Sequence, residues 1–151
     1  MTVVAPLLIG LVFVCLASLL REPHRRQVYA VIVAGAGAAY LSAGGFGYAE
    51  FAFTTAVTFC AYRGLTSWRW IGVAWLLHTG WDVAHHHIDR PIIPFAPGSS
   101  FGCAICDPVI ALWCFAGGPS VHQWIAAWFG GRRRRSGSDE RHEVADGVPA
   151  G

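Results

Sequence analysis

The chemistry of this chain is concentrated between His78 and Asp107, in the stretch HTGWDVAHHHIDRPIIPFAPGSSFGCAICD. Four histidines, three aspartates and two cysteines fall there, in a chain otherwise dominated by Ala, Gly, Val, Leu and aromatic residues. Imidazole, carboxylate and thiolate are the donors that hold zinc and similar divalent ions. His78, Asp82 and His85 stand at i, i+4 and i+7, on one face of a helix. His86 lies at the edge of that face, His87 points away, and Asp89 would extend the stripe if the helix continued. Cys103 and Asp107 repeat the i, i+4 relation, with Cys106 beside them. The spacing predicts a metal site, zinc or another divalent ion, with His78, Asp82, His85 and His86 as ligands. Asp107 or Glu50 would serve as catalytic base or as a further ligand. A metal so held can activate water for hydrolysis of a lipid or lipid-like substrate. H-x3-D-x2-H is a spacing rather than an established signature.

Other readings compete. Polar side chains also bind helices to one another in membranes, at about 0.6 kcal/mol each. An ionised Asp at mid-helix costs roughly 2.5–3.5 kcal/mol on insertion scales. Helix adhesion alone therefore offsets that cost poorly, and function is favoured. A non-enzymatic protein, either a small transporter or an assembly partner, would use the same groups as an ion path or as helix contacts. Cys103 and Cys106 have three readings of their own: metal ligands, a redox pair of lowered thiol pKa, or a plain disulfide in an oxidising compartment. An outward-facing thiol oxidoreductase normally needs a second outward pair. Cys15, Cys60 and Cys114 are expected deeper or toward the other side.

The elements that must position these groups read as membrane helices. Of 151 residues, 54% are hydrophobic and only 13% charged, against about 25% charged in soluble domains. Seven tryptophans suit interfacial belts, Trp68, Trp70, Trp124 and Trp128 among them. The expected architecture is all-α, a polytopic bundle of about five spans within residues 1–130. The spans cover about 2–20, 28–44, 48–62, 68–86, and either 100–117 with a kink at Pro108 or 108–129 with Asp107 as N-cap. Positive charge follows the first span rather than preceding it, so that span is expected to stay uncleaved. Gly44, Gly45, Phe46 and Gly47 make a turn, and the proline-rich stretch 89–100 a loop. Residues 131–151 are expected to be a basic cluster and a disordered cytoplasmic tail.

Charge sets the orientation. All eleven basic residues are Arg, and this arrangement puts ten of them on one side, leaving only Arg90 opposite. The positive-inside rule makes that side cytoplasmic, with the N-terminus outside, in the inner membrane of a GC-rich bacterium. Glu50, Asp82, His85, His86, Cys103, Cys106 and Asp107 then share one depth near the outer surface. Arg132, Arg133, Arg134 and Arg135 would meet anionic lipid; the pattern argues against nucleic-acid binding. Gly35 and Gly37 lack the strand-turn-helix setting of a dinucleotide loop, and neither a G-x-S-x-G nor a Walker sequence is present.

At YLSAGGFG (40–47), CAYRGL (60–65), LLHTGWDVAHH (76–86) and SSFGCAICDPVIALWCFAGGP (99–119) the chain resembles a group of small bacterial integral membrane proteins classed as a domain of unknown function. The resemblance covers roughly residues 5–120. It implies a compact helical membrane protein and carries no catalytic assignment.

Overall fold

The computed structural model describes residues 3–121 and Gln123, and five helices are laid out among the described residues, α1 (Val4–Ala17), α2 (His24–Ala43), α3 (Ala49–Gly64), α4 (Trp68–His87) and α5 (Ser99–Phe115). There is no strand among the described residues. Met1–Gly118 is one compact unit and Pro119–Gly151 a second. In the second, Ser120 N–H donates to Gln123 Oε1 (2.8 Å) and Gln123 N–H donates to Ser120 Oγ (3.2 Å), the reciprocal pair of a capping box. Trp124, Trp128, the four-arginine cluster, the polar tail and the far half of a 108–129 helix lie outside the described residues.

α4 is the hub, packed on α5, α3 and α2, while α1 packs on α5. A Cβ on Gly10 would stand 3.0 Å from the carbonyl oxygen of Cys106, so α1 meets the α5 backbone at the cysteine pair. Pro108 sits inside α5. It removes one intrahelical N–H donor. The Asp107 carboxylate does not cap a helix here, because it accepts from side chains instead.

The core has two halves of opposite chemistry. One is aromatic. Tyr29 packs against Phe13, Trp68 and Trp113 at centroid distances of 5.1, 5.7 and 4.9 Å, and Trp68 meets Trp113 edge-on at 5.0 Å. Such pairs add about 0.5–1.5 kcal/mol each beyond area burial. Arg25 lies over the Trp68 ring, and Glu22 Oε1 accepts from both Arg25 (3.2 Å) and Trp68 Nε1 (3.0 Å). The other half is polar and buries Glu50, His78, Asp82, His85, Ser100 and Asp107.

The surface is the converse. Val4, Ile9, Leu16, Val31, Phe51, Phe59 and Leu112 are each more than half exposed. Yet no helix among the described residues is long and apolar enough to cross a membrane. α1 is apolar but has 14 residues, about 21 Å at 1.5 Å per residue. α2 and α4 have 20 residues each and mix polar groups into that length.

Gly118 closes the aromatic half. Its φ is +55°, and a Cβ there would stand 2.6 Å from the Trp68 indole. Gly118→Ala should therefore cost about 2–4 kcal/mol, from left-handed backbone strain plus a forced shift of Trp68. Gly44→Ala, also at positive φ (+44°) but facing open space, should carry the strain alone. Thermal melting of both variants checks this, and equal losses would refute the Trp68 contact.

Candidate functional site

α4 presents its polar stripe inward, as the i, i+4, i+7 spacing requires. His78, Asp82 and His85 are 1%, 0% and 0% exposed. Seven residues of helix extend about 10.5 Å, however. The stripe is therefore divided between two neighbours, and two clusters result.

The first cluster is built on His78. Its Nδ1 lies 2.9 Å from Asp82 Oδ2 and 2.8 Å from Asp107 Oδ2. One ring nitrogen carries at most one hydrogen, so two carboxylates converge on a single donor. Tyr40 OH, from α2, donates to Asp82 Oδ1 and lies 3.3 Å from Ser100 Oγ. The Cys106 thiol donates to Asp107 Oδ1 at 3.2 Å. A continuous polar chain thus runs from Tyr40 through Asp82, His78 and Asp107 to Cys106. His78 Nε2 is buried without a hydrogen-bond partner.

The second cluster is built on Glu50. Its Oε1 accepts the backbone N–H groups of Gly45 (3.0 Å) and Phe46 (3.1 Å), and its Oε2 accepts from Trp81 Nε1 (2.8 Å). His85 Nε2 stands 2.9 Å from Glu50 Oε1, close enough for an ion pair but poorly aligned for a hydrogen bond. His85 Nδ1 donates to the Arg90 carbonyl at 2.9 Å. Gly45 presses on this ring, where a Cβ would stand 2.7 Å from His85 Cε1. The cluster fastens the 44–47 turn and the end of α4 to the start of α3.

The structure therefore brings Asp107 together with His78 and Asp82, and sets Glu50 against His85. His86 is exposed and lies against the Phe101 ring at 5.2 Å. Neither His85, His86 nor Glu50 shares a three-ligand group with His78 among the described residues. Two residues outside the sequence-based set complete the site. The Tyr40 ring packs at a tilt on His85, centroids 4.2 Å apart, while its hydroxyl bonds Asp82, so it joins the clusters. Ser100 accepts the Ile92 N–H at 2.9 Å and holds the 88–98 loop over the polar half. The one sequence signal for Tyr40 is a lone phenol in a run of Ala and Gly.

The donor set of the first cluster fits a divalent ion. His78, Asp82 and Asp107 offer three ligand atoms within 4.8 Å of one another. The two His78–carboxylate distances, 2.8 and 2.9 Å, are hydrogen-bond lengths, and they also equal the separation of ligands held at right angles about 2.0–2.2 Å from an ion. A tetrahedral ion would need them to open by about half an ångström. Charge favours the same conclusion. Two buried carboxylates carry two negative charges, of which one imidazole can balance at most one, and a divalent ion would balance both.

Cys103, Cys106 and Asp107 form a second possible ligand group, with both cysteines half-buried. All five cysteines are free thiols, and Cys60 and Cys114 are buried.

Residues 1–120 match the model described as a family of unknown function (DUF6010), and the chain belongs to that family. No curated protein and no solved structure matches it.

Proposed function

We propose that this family member is a membrane-embedded metalloprotein whose His78, Asp82 and Asp107 hold a divalent ion, zinc or another. The carrying observation is the convergence of two buried carboxylates on one imidazole nitrogen at 2.8 and 2.9 Å. Three protein ligands leave a coordination position open, which is the arrangement of catalytic rather than structural zinc. When bound, the ion would supply an activated water, and a hydrolase acting on a lipid or lipid-like substrate follows. Tyr40 fixes Asp82 by its hydrogen bond. Glu50 and His85 act as positioning residues, since their polar atoms are directed to the turn, to Trp81 and to the Arg90 carbonyl.

The membrane assignment is supported by the burial of Glu50, His78, Asp82, His85 and Asp107 together with the exposure of Val4, Ile9, Leu16, Val31, Phe51, Phe59 and Leu112. The bilayer accepts the exposed apolar surface that water would penalise. Five helices in a bacterial inner membrane would then place the N-terminus outside and the C-terminus in the cytoplasm. Arg132, Arg133, Arg134 and Arg135 would rest on anionic headgroups there.

The continuous chain from Tyr40 to Cys106 favours one second reading, a path for protons or ions in a transporter. Elemental analysis separates the two. Protein extracted from the membrane pellet with detergent should carry at least near-stoichiometric divalent metal, and Asp82→Ala should strip it from the His78 site. Metal-free wild-type protein would leave the ion path. Recovery of the chain in a detergent-free wash would refute the membrane assignment.

A further inference from the structure

The site above uses one oxygen of Asp107. Oδ2 faces His78, whereas Oδ1 faces Cys106 Sγ at 3.2 Å. On that second side Cys103, Cys106 and Asp107 again place three ligand atoms within 4.8 Å of one another. The two donor sets therefore share a single carboxylate, one oxygen directed to each. We propose that Asp107 bridges two divalent ions, the first on His78 and Asp82 and the second on Cys103 and Cys106. The inference rests on the first ion being bound as described above.

The geometry follows from the helix. Cys103 and Cys106 are one turn apart on α5, and Cys103 and Asp107 are at i, i+4, so all three face the same way. Gly10 brings α1 against the Cys106 backbone and backs the pair. A carboxylate bridge of this kind suits ions about 3.5–4 Å apart. The two sites differ in character. Thiolates select zinc-like ions over magnesium, calcium or manganese, so the outer site is the softer. It is also the more accessible, since both cysteines are half-buried while His78, Asp82 and Asp107 are fully enclosed. On binding, each thiol releases its proton to solvent as the thiolate takes the metal.

Cobalt titration of full-length protein tests this, because thiolate ligation produces a near-ultraviolet charge-transfer band and imidazole or carboxylate ligation does not. Wild type should take up two equivalents and develop the band. The Cys103→Ser/Cys106→Ser variant should take up one equivalent without it, and His78→Ala should retain the band with about one equivalent. One equivalent and no band in wild type would overturn the bridge but leave the His78 site standing. One equivalent with the band, lost entirely in both variants, would show a single mixed site and also overturn the bridge. No cobalt uptake would remove both readings. Should the cysteine variant fail to fold, the wild-type stoichiometry and band decide alone.

Discussion

His78→Ala is expected to abolish metal binding at the buried site and to destabilise the metal-free protein by about 3–5 kcal/mol, the usual cost of leaving a buried charge without its partner. In a chain of this size that corresponds to a fall of about 6–20 °C in Tm. The imidazole is what stands between Asp82 Oδ2 and Asp107 Oδ2, and its loss leaves two enclosed carboxylates facing each other. No Arg forms an ion pair with either one among the described residues. The affinity loss should exceed the 10–100-fold that removal of an outer-shell partner costs, since a direct ligand is gone. A second substitution separates this cause from a plain cavity. Adding Asp82→Asn to His78→Ala removes one carboxylate charge while leaving an amide oxygen for Tyr40. The double variant should be more stable than the single one, and still unable to bind at that site. A double variant that melts below His78→Ala would show that packing, and not charge, is what His78 contributes.

The stripe on α4 was legible because helical periodicity is a local property. His78, Asp82 and His85 do share a face, and all three are buried. What periodicity cannot convey is how far along the axis one site reaches. A metal's ligand shell is only a few ångströms across, so one centred on His78 and Asp82 would pass over His85 one turn on. His85 consequently meets a different neighbour, Glu50. His86, only one residue further, is turned about 100° and faces Phe101 on the outside. Tyr40 escaped for a different reason. Its place beside Asp82 depends on α2 packing against α4, forty-two residues apart in the chain, and nothing in the local pattern of α2 encodes that approach. The start of the last helix was ambiguous because Asp-Pro is a favoured helix start. Side-chain partners for Asp107 on α4 and at Cys106 are long-range or rotameric facts that outweigh the local preference.

Removal of metal by a chelator should lower the melting temperature of the wild-type protein by about 10 °C. An ion present at a thousand times its dissociation constant stabilises the native state by about 4.1 kcal/mol, and each kcal/mol moves Tm by about 2–4 °C at this size. The sign with pH follows from ligand chemistry. Imidazole binds metal only when neutral and carboxylate only when ionised, so protons compete with the ion, and the metal-linked gain must shrink as the solution is acidified. Gly118→Ala supplies the control. It weakens the aromatic half, whose contacts run through Trp68, Tyr29 and Trp113 rather than through His78 or Asp107. Its melting temperature should therefore begin lower and still fall by the same increment on chelation. A wild-type protein whose melting temperature ignores the chelator would show that the buried carboxylates are held by imidazole and hydroxyl alone. The Tyr40–Asp82–His78–Asp107 chain would then have to be read as a route for protons.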